Sequence, residues 1–191
     1  MTTNPSIGVL VGNPRQASRT LHAALSLAEA VRRATSAGTQ ESTAELVVVD
    51  AAEIAPEVFH PGSGHVRNAL ATLAEVDVLV VASPTYKATY TGLLKAILDQ
   101  APGGWLRHRI AIPLLVAASD RHALAVEVHL RPLLVELGAL IPGPGVFLNE
   151  SELGAERGVL IDRLTTLLDE NGILAGLDRL AAGRSPVGDP V

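Results

Sequence analysis

The amino-acid sequence predicts an α/β fold with one doubly wound, five-stranded parallel sheet and helices on both of its faces. Short apolar runs alternate with longer segments of helical periodicity, and this alternation is typical of βαβ units. The first, third and fourth runs are almost wholly apolar, as expected for strands that helices cover on both faces. The length of 191 residues suits one domain of this kind.

The predicted elements follow one another in regular alternation along the chain. Strands are expected at residues 6–11, 45–50, 76–82, 109–117 and 145–148. Helices are expected at residues 18–34, 64–74, 90–100, 122–138 and 154–171. Five strands with four crossovers and a final helix fit the strand order 2-1-3-4-5 by analogy with other doubly wound sheets.

The sequence also predicts how the chain is organised and where it acts. We expect a single domain over residues 1–182, and a disordered tail over residues 183–191, which are rich in Pro and Gly. The first six residues lack the basic and apolar layout of a signal peptide. Apolar runs such as residues 110–118 are far shorter than the ~20 residues of a membrane helix. A soluble cytoplasmic protein without membrane contact is therefore expected.

The composition excludes several classes of function. The absence of cysteine excludes disulfides, thiolate catalysis, Cys-ligated zinc and iron–sulfur clusters. A formal net charge of −5 gives no electrostatic support to nucleic-acid binding. The six histidines are scattered, and no pair has metal-ligand spacing with a carboxylate nearby, so no metal site is predicted.

The first predicted strand runs into a polar turn, residues 12–20, at a place where open α/β sheets bind ligands. The helix that begins here offers unpaired N–H groups and the positive end of its dipole. Side chains that suit a phosphate monoester are Asn13, Arg15, Ser18, Arg19 and Thr20. The glycine spacing of a dinucleotide fingerprint and a Walker A sequence are both absent. The alternative is structural, with Ser18 as a helix cap and Asn13 as a turn residue.

The third predicted strand ends in Ser83-Pro84-Thr85-Tyr86-Lys87, and the run Tyr-x-Gly-x-Leu-Lys-x-x-x-Asp follows at residues 90–99. Pro84 has no N–H, so strand pairing is expected to stop there and to leave amides free to face a flat ring. Tyr86 is placed to cover one edge of such a ring. Gly92 within a helical pattern suggests close packing against its backbone. An ordinary strand–loop–helix connection is the alternative.

These two motifs together resemble the NAD(P)H-dependent FMN reductases, particularly those linked to alkanesulfonate utilisation. In that family the Pro-x-Tyr loop, here Pro84, Thr85 and Tyr86, wraps the isoalloxazine ring of FMN. The Gly-x-x-Arg-x-x-Ser turn, matched by Gly12, Arg15 and Ser18, holds the FMN phosphate. The resemblance covers residues 6–150 and implies a flavodoxin-like fold.

The fourth predicted strand ends in Ala117-Ala118-Ser119, where members of the family often have glycines in the first two places. A positive φ here would carry a steric cost for Ala117 and Ala118. Ser119 is expected to cap a helix or to hydrogen-bond a ring carbonyl, and His122 matches a histidine of the sulfonate-linked members. Residues 126–132 correspond to a helix with oligomer contacts in those relatives, which sometimes contains a π-bulge, and Pro132 predicts a kink.

The resemblance implies reduction of FMN by NADPH or NADH, with reduced FMN passed to a separate two-component monooxygenase. Hydride transfer from nicotinamide to flavin requires no side-chain acid or base, so no catalytic residue is assigned. Lys87 is a candidate for stabilising the reduced, anionic ring, and a solvent-facing lysine is the alternative. Apolar helices at residues 90–100 and 122–138 predict a homodimer or homotetramer.

Two other functions are compatible with the same fold. The first is a quinone, azo-dye or metal-ion reductase that holds FMN permanently. The second is a flavodoxin-type electron carrier, which the Arg-bearing first turn, the few aromatic residues and the modest negative charge make less favourable. The choice between NADPH and NADH, and the question of whether FMN is a substrate or a resident group, stay open at this point.

Overall fold

A computed structural model of the chain contains one five-stranded parallel sheet in the order β2-β1-β3-β4-β5, which confirms the predicted architecture. The structure describes residues 4–36, 46–60 and 63–182, and the predicted tail, residues 183–191, lies outside them. The strands are β1 (Ile7–Val11), β2 (Val47–Asp50), β3 (Val78–Pro84), β4 (Ile110–Ala117) and β5 (Val146–Asn149).

The three central strands, β1, β3 and β4, are buried along their whole length because helices cover both faces of the sheet. β3 begins and ends two residues later than predicted and pairs with β4 as far as Pro84, which lies opposite Val116. Pairing does not stop before Pro84 because the next residue, Thr85, donates its N–H to the carbonyl of Val116 at 2.7 Å. The proline is therefore the last residue of the strand.

The helices pack against the two faces of the sheet, and an apolar core lies on each face. The α-helices are α1 (Arg19–Thr35), α2 (Ala51–Ile54), α3 (Gly64–Ala74), α4 (Gly92–Leu98), α5 (Arg131–Glu136), α6 (Arg157–Glu170) and α7 (Ile173–Ala182). Buried residues of α1, α6 and α7 form the core on one face, and those of α2 to α5 form the core on the other. The helices α2 and α7 are additions to the five predicted from the sequence.

The predicted helix over residues 122–138 is divided into three pieces. A 3-10 turn at Asp120–His122 is followed by a π-helical turn at Val126–Leu130 and then by α5. Pro132 lacks the N–H that an uninterrupted α-helix requires, and a π turn accommodates the missing bond by inserting one residue. The kink expected at this proline is therefore a π turn that ends two residues before it.

Contacts with the loop before β5 hold the π turn in place. The carboxylate of Glu127 accepts a hydrogen bond from the N–H of Gly145, and Arg131 donates to the carbonyl of Gly143 at 2.5 Å. Arg131 also forms an ion pair with Glu127 at 3.5 Å. A Cβ atom at residue 145 would overlap the side chain of Val126, so only glycine permits this approach.

Trp105 lies in the turn after α4 and is buried in the core beside α3. Its indole N–H donates to the carbonyl of Leu70 at 2.9 Å, which satisfies the polar atom of an otherwise apolar ring. In the part of the chain that the structure describes, no helix is long and apolar enough to cross a membrane.

Replacement of Glu127 by alanine is expected to lower the free energy of unfolding by about 1–3 kcal/mol, because the N–H of Gly145 loses its charged acceptor. Urea-induced unfolding followed by circular dichroism measures this change. Glu136→Ala is the matched control, since it removes an equal charge from an exposed position of α5 and should change stability by at most about 0.5 kcal/mol. Equal effects of the two substitutions would contradict the role given to Glu127.

Candidate functional site

Three loops open at the carboxyl edge of the sheet, where the strand order reverses between β1 and β3. They are residues 12–18 after β1, residues 85–91 after β3 and residues 118–125 after β4. Open α/β sheets bind their ligands at such a switch point because neighbouring loops diverge there and leave a crevice. We call these segments the first, second and third loops.

The buried side chain of Asn13 holds the conformation of the first loop from its inner side. Its Oδ1 atom accepts a hydrogen bond from the N–H of Arg15 at 2.9 Å, and its Nδ2 atom donates to Oγ1 of Thr20 at 3.1 Å. The side chain of Thr20 is also buried. Both polar side chains therefore support the loop, and the hydroxyl of Thr20 does not lie on its outer surface.

The upper side of the first loop carries unpaired hydrogen-bond donors. Ser18 caps α1 by accepting a hydrogen bond from the N–H of Leu21 at 3.2 Å. Ala17 has a φ of +48°, and a left-handed residue within a turn directs successive N–H groups to one side, which is an arrangement that binds anions. Among the described residues, the N–H groups of residues 16–20 have no hydrogen-bond acceptor.

The two arginines of this region are in different situations. Arg19 forms an ion pair with Glu150 at 2.7 Å, which connects the start of α1 to the residue that follows β5. Arg15 is exposed and makes no ion pair within residues 4–36, 46–60 and 63–182. Arg15 thus keeps its positive charge available at the outer side of the loop, whereas the charge of Arg19 is matched by a carboxylate.

The second loop is folded into a tight hairpin turn. The N–H of Tyr86 donates to the carbonyl of Thr89 at 2.8 Å, and the N–H of Thr89 donates back to Tyr86 at 3.3 Å. The two central residues, Lys87 and Ala88, have φ values of +53° and +70°, as in a type I′ turn. Asn-Gly usually occupies such a turn, because left-handed φ costs other L-residues about 1–2 kcal/mol.

The expectation of several free amides in the second loop is wrong for most of its residues. The N–H of Thr85 pairs with β4, and those of Tyr86 and Thr89 pair with each other's carbonyls. Within the described ranges, the N–H groups of Lys87 and Ala88 at the tip of the turn have no acceptor. The donors that remain for a ligand are therefore concentrated at the tip.

Side chains of the second loop offer both apolar and charged surface. The ring of Tyr86 is 45% exposed, and the side chain of Lys87 is exposed beside it. The hydroxyl oxygen of Thr85 is shielded from solvent and has no hydrogen-bond partner among the residues that the structure describes. Such an unsatisfied polar atom is uncommon in folded proteins and is consistent with a site completed by a ligand.

The close approach expected at Gly92 occurs at Gly12 instead. A Cβ atom on Gly92 would meet no described atom within 4 Å, and this residue is simply the first residue of α4. A Cβ atom on Gly12 would overlap the Cβ atom of Leu94. The end of β1 therefore lies directly against α4, and this contact requires a glycine.

The third loop does not have the backbone strain that a positive φ at Ala117 or Ala118 would cause. Neither Ala117 nor Ala118 has a positive φ, so the absence of glycine carries no steric cost here. Ser119 caps the following 3-10 turn by accepting from the N–H of Arg121 at 3.4 Å. Asp120 accepts a hydrogen bond from Asn149 at 2.7 Å, and His122 is half-buried in the same turn.

The Lys-x-x-x-Asp part of the second motif lies outside the three loops. Lys95 and Asp99 form an ion pair across one turn of α4, and the hydrogen bond to Asp99 raises the pKa of Lys95 above its usual value. Both residues line a shallow cleft of about 570 Å³ beside Phe59, which is 83% exposed. This cleft contains no residue of the three loops, so the motif contributes to the flank of the domain.

Sequence reasoning missed three residues that build this edge. Glu150 pairs with Arg19, while Ser83 and Thr91 are buried at the base of the second loop. A threonine directly before an apolar helical run is a recognisable N-cap signal, so Thr91 was detectable in part. No group of three or more metal-ligating side chains occurs in the described portion of the chain.

Comparison with known sequences places this chain among flavin reductases. Residues 5–153 match the family model described as NADPH-dependent FMN reductase. The FMN reductase (NADPH) of Pseudomonas putida is 35% identical over 108 residues, which cover 56% of this chain and 55% of the relative. The NADH-dependent FMN reductase SfnF of Pseudomonas fluorescens is 37% identical over 86 residues, 44% of each chain. The chain thus spans about half the length of the curated relatives that it matches.

A solved structure extends the similarity over almost the whole chain. The apo form of an NADH:FMN oxidoreductase superposes with a TM-score of 0.72 at 27% identity, covering 96% of this chain and 92% of the other. The family model covers more than half of the chain, and the sheet has the flavodoxin-like strand order. The resemblance seen in the two motifs is therefore confirmed, and the chain belongs to the NADPH-dependent FMN reductase family.

Proposed function

We propose that this chain is an NAD(P)H:FMN oxidoreductase that binds FMN across the three loops and reduces it with NADPH or NADH in the cytoplasm. The observation that carries the proposal is the first loop, whose five unpaired N–H groups and exposed Arg15 lie at the switch point of the sheet. Oxidation of NADPH and NADH by the purified protein, with and without added FMN, tests the activity. Absence of FMN-dependent oxidation with both nucleotides would exclude it.

The first loop supplies the features that a phosphate monoester requires. Its unpaired N–H groups, the hydroxyl of Ser18 and the positive end of α1 favour a doubly charged anion. Arg15 adds a charge-assisted contact from the exposed side. Asn13 and Thr20 act indirectly, because their mutual hydrogen bond keeps the loop in this shape.

The second and third loops supply surfaces for a flat ring. Tyr86 offers aromatic area, and the tip of the hairpin turn adds the two N–H groups of Lys87 and Ala88. Pro84 and Thr85 lead from β3 into this turn. The neighbouring strand β4 ends at the same edge of the sheet, and the candidates located at its end and in the third loop are Ala117, Ala118, Ser119 and His122. The ammonium group of Lys87 would favour negative charge on a reduced ring.

The chain's contribution to the reaction is to orient two rings rather than to transfer protons. When bound, FMN supplies the group that accepts a hydride from the nicotinamide, and no side-chain acid or base is required. Tyr86 is the exposed tyrosine of the loops, because Tyr90 packs against the apolar core. One face of the ring is thereby left open for a nicotinamide at a contact distance of about 3–3.5 Å.

A weakly held flavin implies that another protein uses the product. A ring without an aromatic sandwich forgoes about 0.5–1.5 kcal/mol for each missing stacked pair. Trp105 does not provide such a partner, since it is buried and bonded to α3. We therefore propose that reduced FMN leaves the site and supplies a separate flavin-dependent monooxygenase.

The exposed face of the π turn supports self-association. Leu124, Val128 and Val135 are 67%, 51% and 54% exposed, and they lie on successive turns before and within α5. Three exposed aliphatic side chains within twelve residues favour a subunit interface, because exposed apolar surface is costly in water. We propose that the protein is a homodimer or homotetramer that covers this face.

Arg15→Ala is expected to weaken FMN binding by about 10- to 100-fold, because a hydrogen bond to a charged group contributes about 1.5–3 kcal/mol. Riboflavin, which lacks the phosphate, should bind both proteins equally. Titration followed by flavin fluorescence measures both affinities. Arg107→Ala is the control, since it removes an exposed positive charge before β4, at the opposite edge of the sheet. Equal losses for FMN and riboflavin would contradict a phosphate contact.

The purified protein is expected to be colourless and to bind added FMN with a micromolar Kd, because Tyr86 alone provides aromatic contact. Absorbance in the flavin bands before and after dialysis measures retention, and a fluorescence titration gives the Kd. Nanomolar binding that survives dialysis would instead favour a resident flavin. In that case the quinone, azo-dye or metal-ion reductase becomes the better assignment.

Val128→Asp is expected to shift the protein to a monomer with the 19.9 kDa mass of one chain, because a buried charge is costly at an apolar interface. Light scattering coupled to size-exclusion chromatography measures the mass. Val159→Asp is the matched control, because Val159 is similarly exposed, at 58%, but belongs to α6. A native protein that is already monomeric at micromolar concentration would refute the proposed assembly.

A further inference from the structure

Thr91 joins three elements at the base of the candidate site. Its side chain is 4% exposed, and its hydroxyl donates to the carbonyl of Gly12 at 2.5 Å while accepting from the N–H of Leu94 at 3.1 Å. Its own N–H donates to Oγ of Ser83 at 3.0 Å. One residue thus connects the end of β1, the end of β3 and the start of α4.

Ser83 completes the closure of the second loop. It is fully buried, and its hydroxyl accepts from Thr91 and donates to the carbonyl of Pro84 at 2.8 Å. Because Ser83 and Thr91 stand at the two ends of the loop, their hydrogen bond fixes the distance between those ends. The tight turn at Tyr86–Thr89 is therefore connected to the sheet by two chain ends at a fixed separation.

Gly12 links the base of the second loop to the first loop. Its N–H donates to the carbonyl of Ala82 at 2.8 Å, and its own carbonyl accepts from Thr91. The missing Cβ allows direct contact with Leu94. The residue from which the first loop departs is therefore held by β3 on one side and by Thr91 on the other.

We infer that Thr91 is a positioning residue that fixes the first loop relative to the second, so that one ligand engages both loops at once. The identity of that ligand as FMN rests on the proposed function, whereas the coupling of the loops does not. A phosphate and a ring joined by a short chain contact both loops only if the distance between the loops is constant. Preorganisation of this kind removes an ordering cost that binding otherwise has to overcome.

Thr91 also caps α4, and a capping role alone makes a different prediction. Loss of a cap frays the first turn of its helix, and that effect is local. Loss of the bond to Gly12 releases the first loop, which is 79 residues away in the sequence. The two roles are therefore separated by where mobility increases and by which ligand loses affinity.

The decisive variants are Thr91→Val, which keeps the volume and removes the hydroxyl, and Thr91→Ser, which keeps the hydroxyl. Ser63→Ala is the matched control, because Ser63 caps α3 through the N–H of His65 and belongs to none of the three loops. Hydrogen exchange of the ligand-free proteins is the first measurement. It requires no flavin, so its result is independent of the proposed function.

Thr91→Val should raise amide exchange by about 10-fold at Gly12 and Arg15, the hydrogen-bonded amides of the first loop, because the carbonyl of Gly12 loses the hydroxyl that donates to it. The second loop should exchange as in the native protein, because the N–H of residue 91 still donates to Ser83. Thr91→Ser should exchange like the native protein, and Ser63→Ala should affect only the start of α3. An increase confined to residues 91–95 in Thr91→Val would overturn the inference and leave Thr91 as a helix cap.

Ligand titration gives a second, independent test. Thr91→Val should weaken FMN binding by about 10-fold and riboflavin binding by at most about 2-fold, because only FMN needs both loops together. Thr91→Ser should restore the native ratio of the two affinities. Equal losses for FMN and riboflavin would overturn the inference, whereas failure of the native protein to bind FMN would refute the proposed function and leave the exchange result to decide the coupling.

Discussion

The contact between the end of β1 and α4 constrains everything at the carboxyl edge of the sheet. Gly12 lies so close to Leu94 that no side chain fits, and the carbonyl of Gly12 is bonded to the cap of the same helix. This contact brings the first and second loops together at the switch point. The geometry of both loops depends on it, because the first loop begins at Gly12 and the second loop ends at Thr91, and these two residues are bonded to each other.

Backbone strain is concentrated at the same edge. Four non-glycine residues in the described part of the chain have a positive φ, and three of them, Ala17, Lys87 and Ala88, belong to the first and second loops. Each left-handed residue costs stability, and such strain persists only where surrounding contacts over-determine it. The buried hydrogen bonds of Asn13 and Thr91 supply those contacts. They stabilise loops whose left-handed backbone conformations are unfavourable by themselves.

The π turn is held by a comparable arrangement on the same face of the sheet as α4. Glu127 and Arg131 hold it against the loop before β5, while its outer side chains remain exposed. A regular α-helix through Pro132 would present a different set of side chains, since a π turn shifts the register of the residues that follow. The proline thus helps to determine which aliphatic residues are exposed on this face.

The sequence by itself determined the fold class and the two motifs after the first and third strands, because these depend on local periodicity and on contiguous residues. The strand order was predicted by analogy with other doubly wound sheets, and the observed sheet confirms it. The sequence indicated Arg15, Ser18, Pro84 and Tyr86 as candidates through their residue types at the strand ends and through the family resemblance. Local patterns failed where a residue's surroundings matter, as at Gly92, which packs against nothing described, and at Thr20, which is buried.

Only the tertiary structure decided how these segments act together. The bond between Thr91 and Gly12 spans 79 residues, and the ion pair of Arg19 with Glu150 joins the start of α1 to the residue that follows β5. No local pattern records such contacts, because they depend on distances between chain segments that meet after the sheet has formed. The motifs of the candidate site were therefore predictable from local patterns, whereas the residues that hold those motifs in position were decided by packing.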